Sequence, residues 1–214
     1  MKKFTLILFL SVLLCNGAIA QDYYGSSYSG KRVSLGITLS PNVHWLRYGD
    51  LKDIKNEIKI GYSYGLLADF ALSENYYFST GFLINNLKAS SDYLSGNPNN
   101  EVPSTYHLQY IEIPFGLKLQ STQRYYRSYY GQFGFTGGMK INGEREVGDT
   151  DKVALDSNAD LFRLALQIGG GINWQLDHKL NMMTGLSLNN SFTGILKDGK
   201  PKSSYVALNF AIFF

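Results

Sequence analysis

Only a few residues of this 214-residue chain have the type and spacing to do chemistry, and the strongest set is Glu112, Lys140 and Arg163. Each lies on the polar parity of a segment in which apolar and polar residues alternate, so all three would point to the same face of a sheet. Burying an unpaired carboxylate is costly, so an ion pair from Glu112 to Lys140 or to Arg163 is expected. Such a pair could relay a proton or hold a ligand. Its structural role would be to fix strand register and fill an interior.

The histidines are His44, His107 and His178. His44 has the polar parity and could act as a general base in a hydrolase or acyltransferase. That chemistry also needs a nucleophile and an orienting acid within hydrogen-bond reach, and no motif selects one serine among the many. His107 has the opposite parity and His178 falls in a short link, so the three do not converge on a metal. Gly169, Gly170 and Gly171 lie inside a strand, where they permit curvature or tight packing, and no phosphate-binding glycine pattern occurs. No catalytic, cofactor-binding or metal-binding residue is therefore assigned, and no cofactor is expected.

The elements that would carry these residues begin behind an export signal. Lys2 and Lys3, an apolar run from Phe4 to Cys15 and a small-residue end at Ala18-Ile19-Ala20 form the three-part pattern of a secretory signal peptide over 1–20. Lipidation at Cys15 would want a small residue before it, and Leu14 stands there. Cleavage after Ala20 removes the one cysteine, and with it any disulfide, thiolate metal site or cysteine nucleophile. It also removes Lys2 and Lys3 and no acid, taking the formal charge from +3 to +1, which gives no reason to expect nucleic acid. Residues 21–32, rich in Gly, Ser and Tyr, read as a flexible periplasmic leader.

From Val33 the period is two. Val33, Leu35, Ile37 and Leu39 alternate with Ser34, Gly36, Thr38 and Ser40, and the same pattern recurs in seven further segments, the last running from Val206 to Phe214. Charged residues make up 17% of the chain, against about 25% in ordinary soluble domains, while 14% are aromatic. The polar parity holds mostly Gly, Ser, Thr, Asn, Gln and Ala, with few ionisable groups: His44, Lys59, Asp69, Glu112, Lys118, Lys140 and Arg163. A soluble sheet would show far more charge on its wet face. Small polar residues suit the inside of a narrow closed barrel, and the apolar parity suits lipid.

The expected fold is all-β, an eight-stranded antiparallel up-and-down transmembrane β-barrel over 33–214. Short links near Ser73, Arg124 and Asp177 alternate with longer ones at 49–57, 88–105, 143–160 and 193–203. Short links are periplasmic in such barrels, which places both mature termini in the periplasm of a Gram-negative-type cell. Tyr76, Tyr77, Tyr129, Tyr130, Trp174 and Phe214 would gather in one interfacial belt, and Trp45, Tyr48, Tyr106 and Phe192 in the other. Pro114 removes a ladder hydrogen bond within its strand and is expected to mark a bulge or bend.

The stretch YIEIPFGLKLQ, from Tyr110 to Gln120, resembles the Tyr-hydrophobic-Glu-hydrophobic-Pro signature of the PorT-like outer-membrane β-barrel proteins. The last strand, ending on Phe214, resembles the C-terminal signal by which barrels are recognised for insertion. The resemblance implies an eight-stranded barrel over 31–214 and a link to type IX secretion through the family's founding member. The expected role is non-enzymatic: structural, assembly or secretion-associated, with partners bound through the extracellular loops or the periplasmic rim. Expected partners are outer-membrane lipid, the barrel-assembly machinery and an envelope protein. A small porin-like channel is the alternative, and a hydrolase using His44 the third.

Overall fold

A computed structural model describes residues 32–47, 56–91, 104–147, 150–154, 161–177, 179–194 and 202–214. The signal segment 1–20 and nearly all of the leader lie outside these, as do Tyr48, His178 and the side chain of Tyr106. The strands are β1 (Val33–Arg47), β2 (Asn56–Glu57), β3 (Lys59–Ser73), β4 (Tyr76–Ser91), β5 (Ser104–Gln120), β6 (Arg127–Val147), β7 (Thr150–Ala154), β8 (Phe162–Gln175), β9 (Asn181–Gly194) and β10 (Lys202–Phe213). Eight of them form one antiparallel ring in the order β1-β3-β4-β5-β6-β8-β9-β10, and β10 pairs back on β1 from Gly36↔Phe213 to Arg47↔Lys202. No helix occurs among the described residues.

The alternation seen in sequence is the inside–outside alternation of this ring. Leu39, Leu66, Phe133, Ile168 and Leu186 face out and are exposed, whereas Asn42, Glu112, Thr136, Arg163 and Asn189 face in and are buried. A large apolar outer surface around a polar centre inverts the arrangement of a soluble domain and fits a wall in hydrocarbon, where closure satisfies every strand edge. Phe135 bridges Phe115 and Phe192 on that outer face, with ring centroids 6.1 and 6.4 Å apart.

Three tight connections and both ends of the ring share one rim, called here the turn end. One is the hairpin at Glu74-Asn75, and another is closed by Leu176 N donating to Leu180 O at 2.9 Å. In the third, Tyr125 and Tyr126 take φ of 49° and 61°, the left-handed pair that a two-residue hairpin requires and that Asn-Gly usually supplies. The opposite rim is the loop end. There the strands outrun the sequence reading. The links expected at 88–105 and 143–160 are partly sheet, because β4 and β5 stay paired to Ser91↔Ser104, β6 reaches Val147, and β7 folds back on it. Above the lipid both faces of a strand are wet, so the alternation disappears while the backbone pairing continues.

Two further differences concern single residues. Tyr77 and Tyr130 belong to the interior rather than to the turn-end belt. Pro114 makes no bulge: β4 and β5 keep one register through Thr80↔Phe115 and Leu83↔Glu112, and only the pairs between them are missing. Thr80 Oγ1 donates to the Pro114 carbonyl at 2.8 Å and satisfies an acceptor left over by that gap. The bulge in β5–β6 lies instead at Gln109/Tyr110, where Ile141 and Asn142 both face out.

Ile168→Arg, at the middle of β8 on the outer face, is expected to cost about 2–4 kcal/mol, and Phe162→Arg at the strand end about 0–1 kcal/mol. Reversible urea unfolding in lipid vesicles measures both; equal costs would contradict the depth assignment.

Candidate functional site in the barrel lumen

The interior is organised around two buried ion pairs. Nearer the loop end, Arg163 Nη1 lies 2.5 Å from Glu112 Oε1, and both side chains are 1% exposed. The sheet register explains the meeting: Glu112 stands opposite Gly138, and Gly138 opposite Arg163, so the two side chains join over a residue that has none. A Cβ added to Gly138 would come within 3.3 Å of Glu112 Cγ. Of the two cations expected to serve Glu112, the one in this bond is Arg163; Lys140 stands opposite Tyr110, one pair nearer the loop end.

Further hydrogen bonds spread this pair around the barrel. Glu112 Oε2 accepts from Asn85 Nδ2 at 3.1 Å and from the Tyr205 hydroxyl at 3.0 Å. Asn42 donates to Asn85, and Arg163 donates to Asn189, which in turn donates to Thr136 at 3.1 Å. Thr136 then donates to Gln167 at 2.8 Å. The Arg163 guanidinium also lies 5.3 Å from the Tyr205 ring centroid. Every wall strand except β3 contributes a side chain to this layer. A carboxylate that accepts three hydrogen bonds, one of them from a cation, is held in place at a depth where an unpaired charge would be expelled.

Nearer the turn end, Lys118 is paired with Asp69 and sits among Tyr77, Tyr130 and Phe213, 4.9 Å from the Phe213 ring centroid. The sequence placed Asp69 and Lys118 inside but did not pair them. The signal that could have done so is their opposite charge at inward positions with a single strand between them. Tyr130 extends along the inner wall past Gly171 to Gly185, which leaves it room, and an added Cβ at Gly185 would fall on the Tyr130 hydroxyl. Between the layers lies a cavity of about 60 Å³ lined by Ser40, Ser63, Gln167, Ser187 and Asn209, among others, roomy enough for a few waters.

His44 is fully buried near the loop end, its Nδ1 3.1 Å from the Lys88 carbonyl and its Nε2 2.6 Å from Ser203 Oγ. A hydroxyl does stand beside the candidate base, but a backbone carbonyl occupies the orienting position, and Ser203 is as buried as His44. The arrangement satisfies polar groups under the loops. His107 faces the other side of the wall, as its parity required.

The YIEIP stretch acquires a physical meaning here. Tyr110, Glu112 and Pro114 are its three inward residues, all buried, with Glu112 at the centre of the ion layer. Phe214, proposed as an insertion signal, is exposed, and its amide donates to the Leu35 carbonyl at 2.9 Å at the closing seam.

A closed antiparallel ring with a lipid-compatible exterior and a plugged polar core defines a small transmembrane barrel of the outer membrane. The outer membrane protein beta-barrel domain matches residues 19–197, and the chain belongs to that family. Strand β10, which closes the ring, lies beyond the matched span. Among solved structures the chain resembles Neisserial surface protein A, at 9% identity and TM-score 0.55, covering 86% of this chain and 96% of that one. It also resembles the outer membrane protein OprG of Pseudomonas aeruginosa, at 10% identity and TM-score 0.52, covering 85% and 94%. At such identities the likeness shows the fold. No curated protein sequence matches the chain.

Arg163→Ala leaves Glu112 buried without its cation and is expected to destabilise the barrel by about 3–5 kcal/mol. Arg163→Met combined with Glu112→Gln should recover part of that loss. Denaturant midpoints in micelles test this, and a single variant as stable as the parent would show that the pair holds nothing together.

Proposed function

We propose that this protein is a non-enzymatic outer-membrane barrel with a structural, assembly or secretion-associated role, binding envelope partners through its loop-end or turn-end surfaces. The observation that carries this reading is the lumen closed by two successive ion pairs. An eight-stranded ring leaves an interior that side chains fill, so neither free diffusion nor a substrate pocket is served. What is left for function is the surface outside the bilayer, where loops on a rigid scaffold commonly do the work.

The alternation of tight turns and long links supports placing the turn end and both mature termini in the periplasm. In that orientation Phe214 and the outward residues of β10 would be presented to the barrel-assembly machinery. The similarity of Tyr110–Gln120 to the PorT-like signature supports the narrower assignment to type IX secretion. A captured envelope partner, cross-linked mildly in the native membrane and co-purified, tests that assignment directly.

The cavity between the ion layers favours a second reading, a small channel opened when an ion pair breaks. Planar-bilayer recording separates the two. The wild-type barrel is expected to give no stable conductance steps, and reproducible steps from it would overturn the closed-barrel reading.

A further inference from the structure

At the loop end the outer face of the closing seam finishes in a pair of like charges. Val43 stands opposite Val206, and Val206 opposite Leu188, an apolar row of the outer wall. One step towards the loop end, Trp45 stands opposite Ser204 and Ser204 opposite Asn190. One step further, Arg47 stands directly opposite Lys202, both outward and exposed, while Leu46 and Ser203 between the rows face in and are buried. Two cations at a cross-strand position repel each other, and among the described residues neither has a carboxylate partner.

The Arg47 guanidinium is held in place. Its Nη2 donates to Asn190 Oδ1 at 2.7 Å, and Ser204 Oγ donates to the same oxygen at 3.0 Å. These bonds draw the guanidinium back across Ser204, which is 2% exposed although it points outward. Arg47 and Lys202 themselves stay exposed, so a ligand oxygen can reach both. On the flanking strands apolar residues persist to the loop end: Ile58 just before β3 and Phe162 at the start of β8 are both exposed. The two cations are therefore set into the border of an apolar wall. Uncompensated charge is costly there, and the anions at hand are the phosphates of the lipids that cover the wall.

We propose that Arg47 and Lys202 form a site for the phosphomonoester of a membrane lipid, held between the guanidinium and the ammonium while the acyl chains lie along Val43, Val206 and Leu188. A phosphomonoester brings up to about two negative charges and three acceptor oxygens, which match two cations and the fork of a guanidinium. A phosphodiester headgroup brings a single charge and leaves part of the repulsion standing. The site is independent of what the lumen and the loops do.

Barrel freed of lipid in neutral detergent is titrated with phosphatidic acid, phosphatidylglycerol, phosphatidylcholine or inorganic phosphate, and bound adducts are counted by native mass spectrometry. One phosphatidic acid should be retained about tenfold more tightly than phosphatidylglycerol, the worth of one further charge-assisted contact, and phosphatidylcholine less tightly than either. Lys202→Gln should remove that preference. Lys202→Glu, which gives Arg47 a counter-charge of its own, should abolish retention, whereas Lys88→Gln, at an exposed outward cation on β4, should leave it unchanged. Heat-dependent gel mobility verifies that each variant is folded, and Lys202→Gln, a mild change at an exposed side chain, carries the test by itself. Equal retention of phosphatidic acid and phosphatidylglycerol overturns the proposal. So does an undiminished preference in the folded Lys202→Gln barrel, an equal loss in Lys88→Gln, or displacement of the lipid by an equal concentration of inorganic phosphate.

Discussion

Backbone amides and carbonyls cannot be left unpaired in hydrocarbon, and the seam where β10 returns to β1 is where this chain meets that demand. An open eight-stranded sheet would present two edges to lipid, each a row of orphan groups costing several kcal/mol apiece. Closure removes both edges and ties the last residue to the first strand through Phe214 and Leu35. The prolines show how strict the demand is. The β1–β10 ladder skips Ser40 and Pro41, and beside that gap Thr38 Oγ1 donates to the Phe210 carbonyl at 2.8 Å, as Thr80 does for Pro114.

Closure with so few strands has a second consequence. The lumen is too narrow for bulk water to solvate its charges, so each must find its counter-charge inside. Among the described residues, Glu112 with Arg163 and Lys118 with Asp69 are such pairs, one in each half of the barrel. Hydrogen bonds donated by Asn42, Asn85 and Tyr205, and one that Asn189 accepts from Arg163, make the upper pair a layer that spans most of the ring. A lumen used in this way is a core, and it transfers function to the rims and the outer wall.

The sequence by itself determined the fold class, because an alternation of two is a local property of the chain and each face declares its solvent by composition. It also determined that Glu112, Arg163, Asp69, Lys118 and His44 face inward, and that the short links share one rim. Only the tertiary structure decided which of them meet. The Glu112–Arg163 bond depends on a register that brings both opposite Gly138, and the register of a strand pair is fixed by neighbours far away in sequence. The uninterrupted register at Pro114 is likewise a product of the closed ring, whereas the inward turn of Tyr77 and Tyr130 follows already from their alternation with Tyr76, Phe78, Tyr129 and Phe133. Alternation tells a residue which side it faces, and closure alone tells it whom it faces.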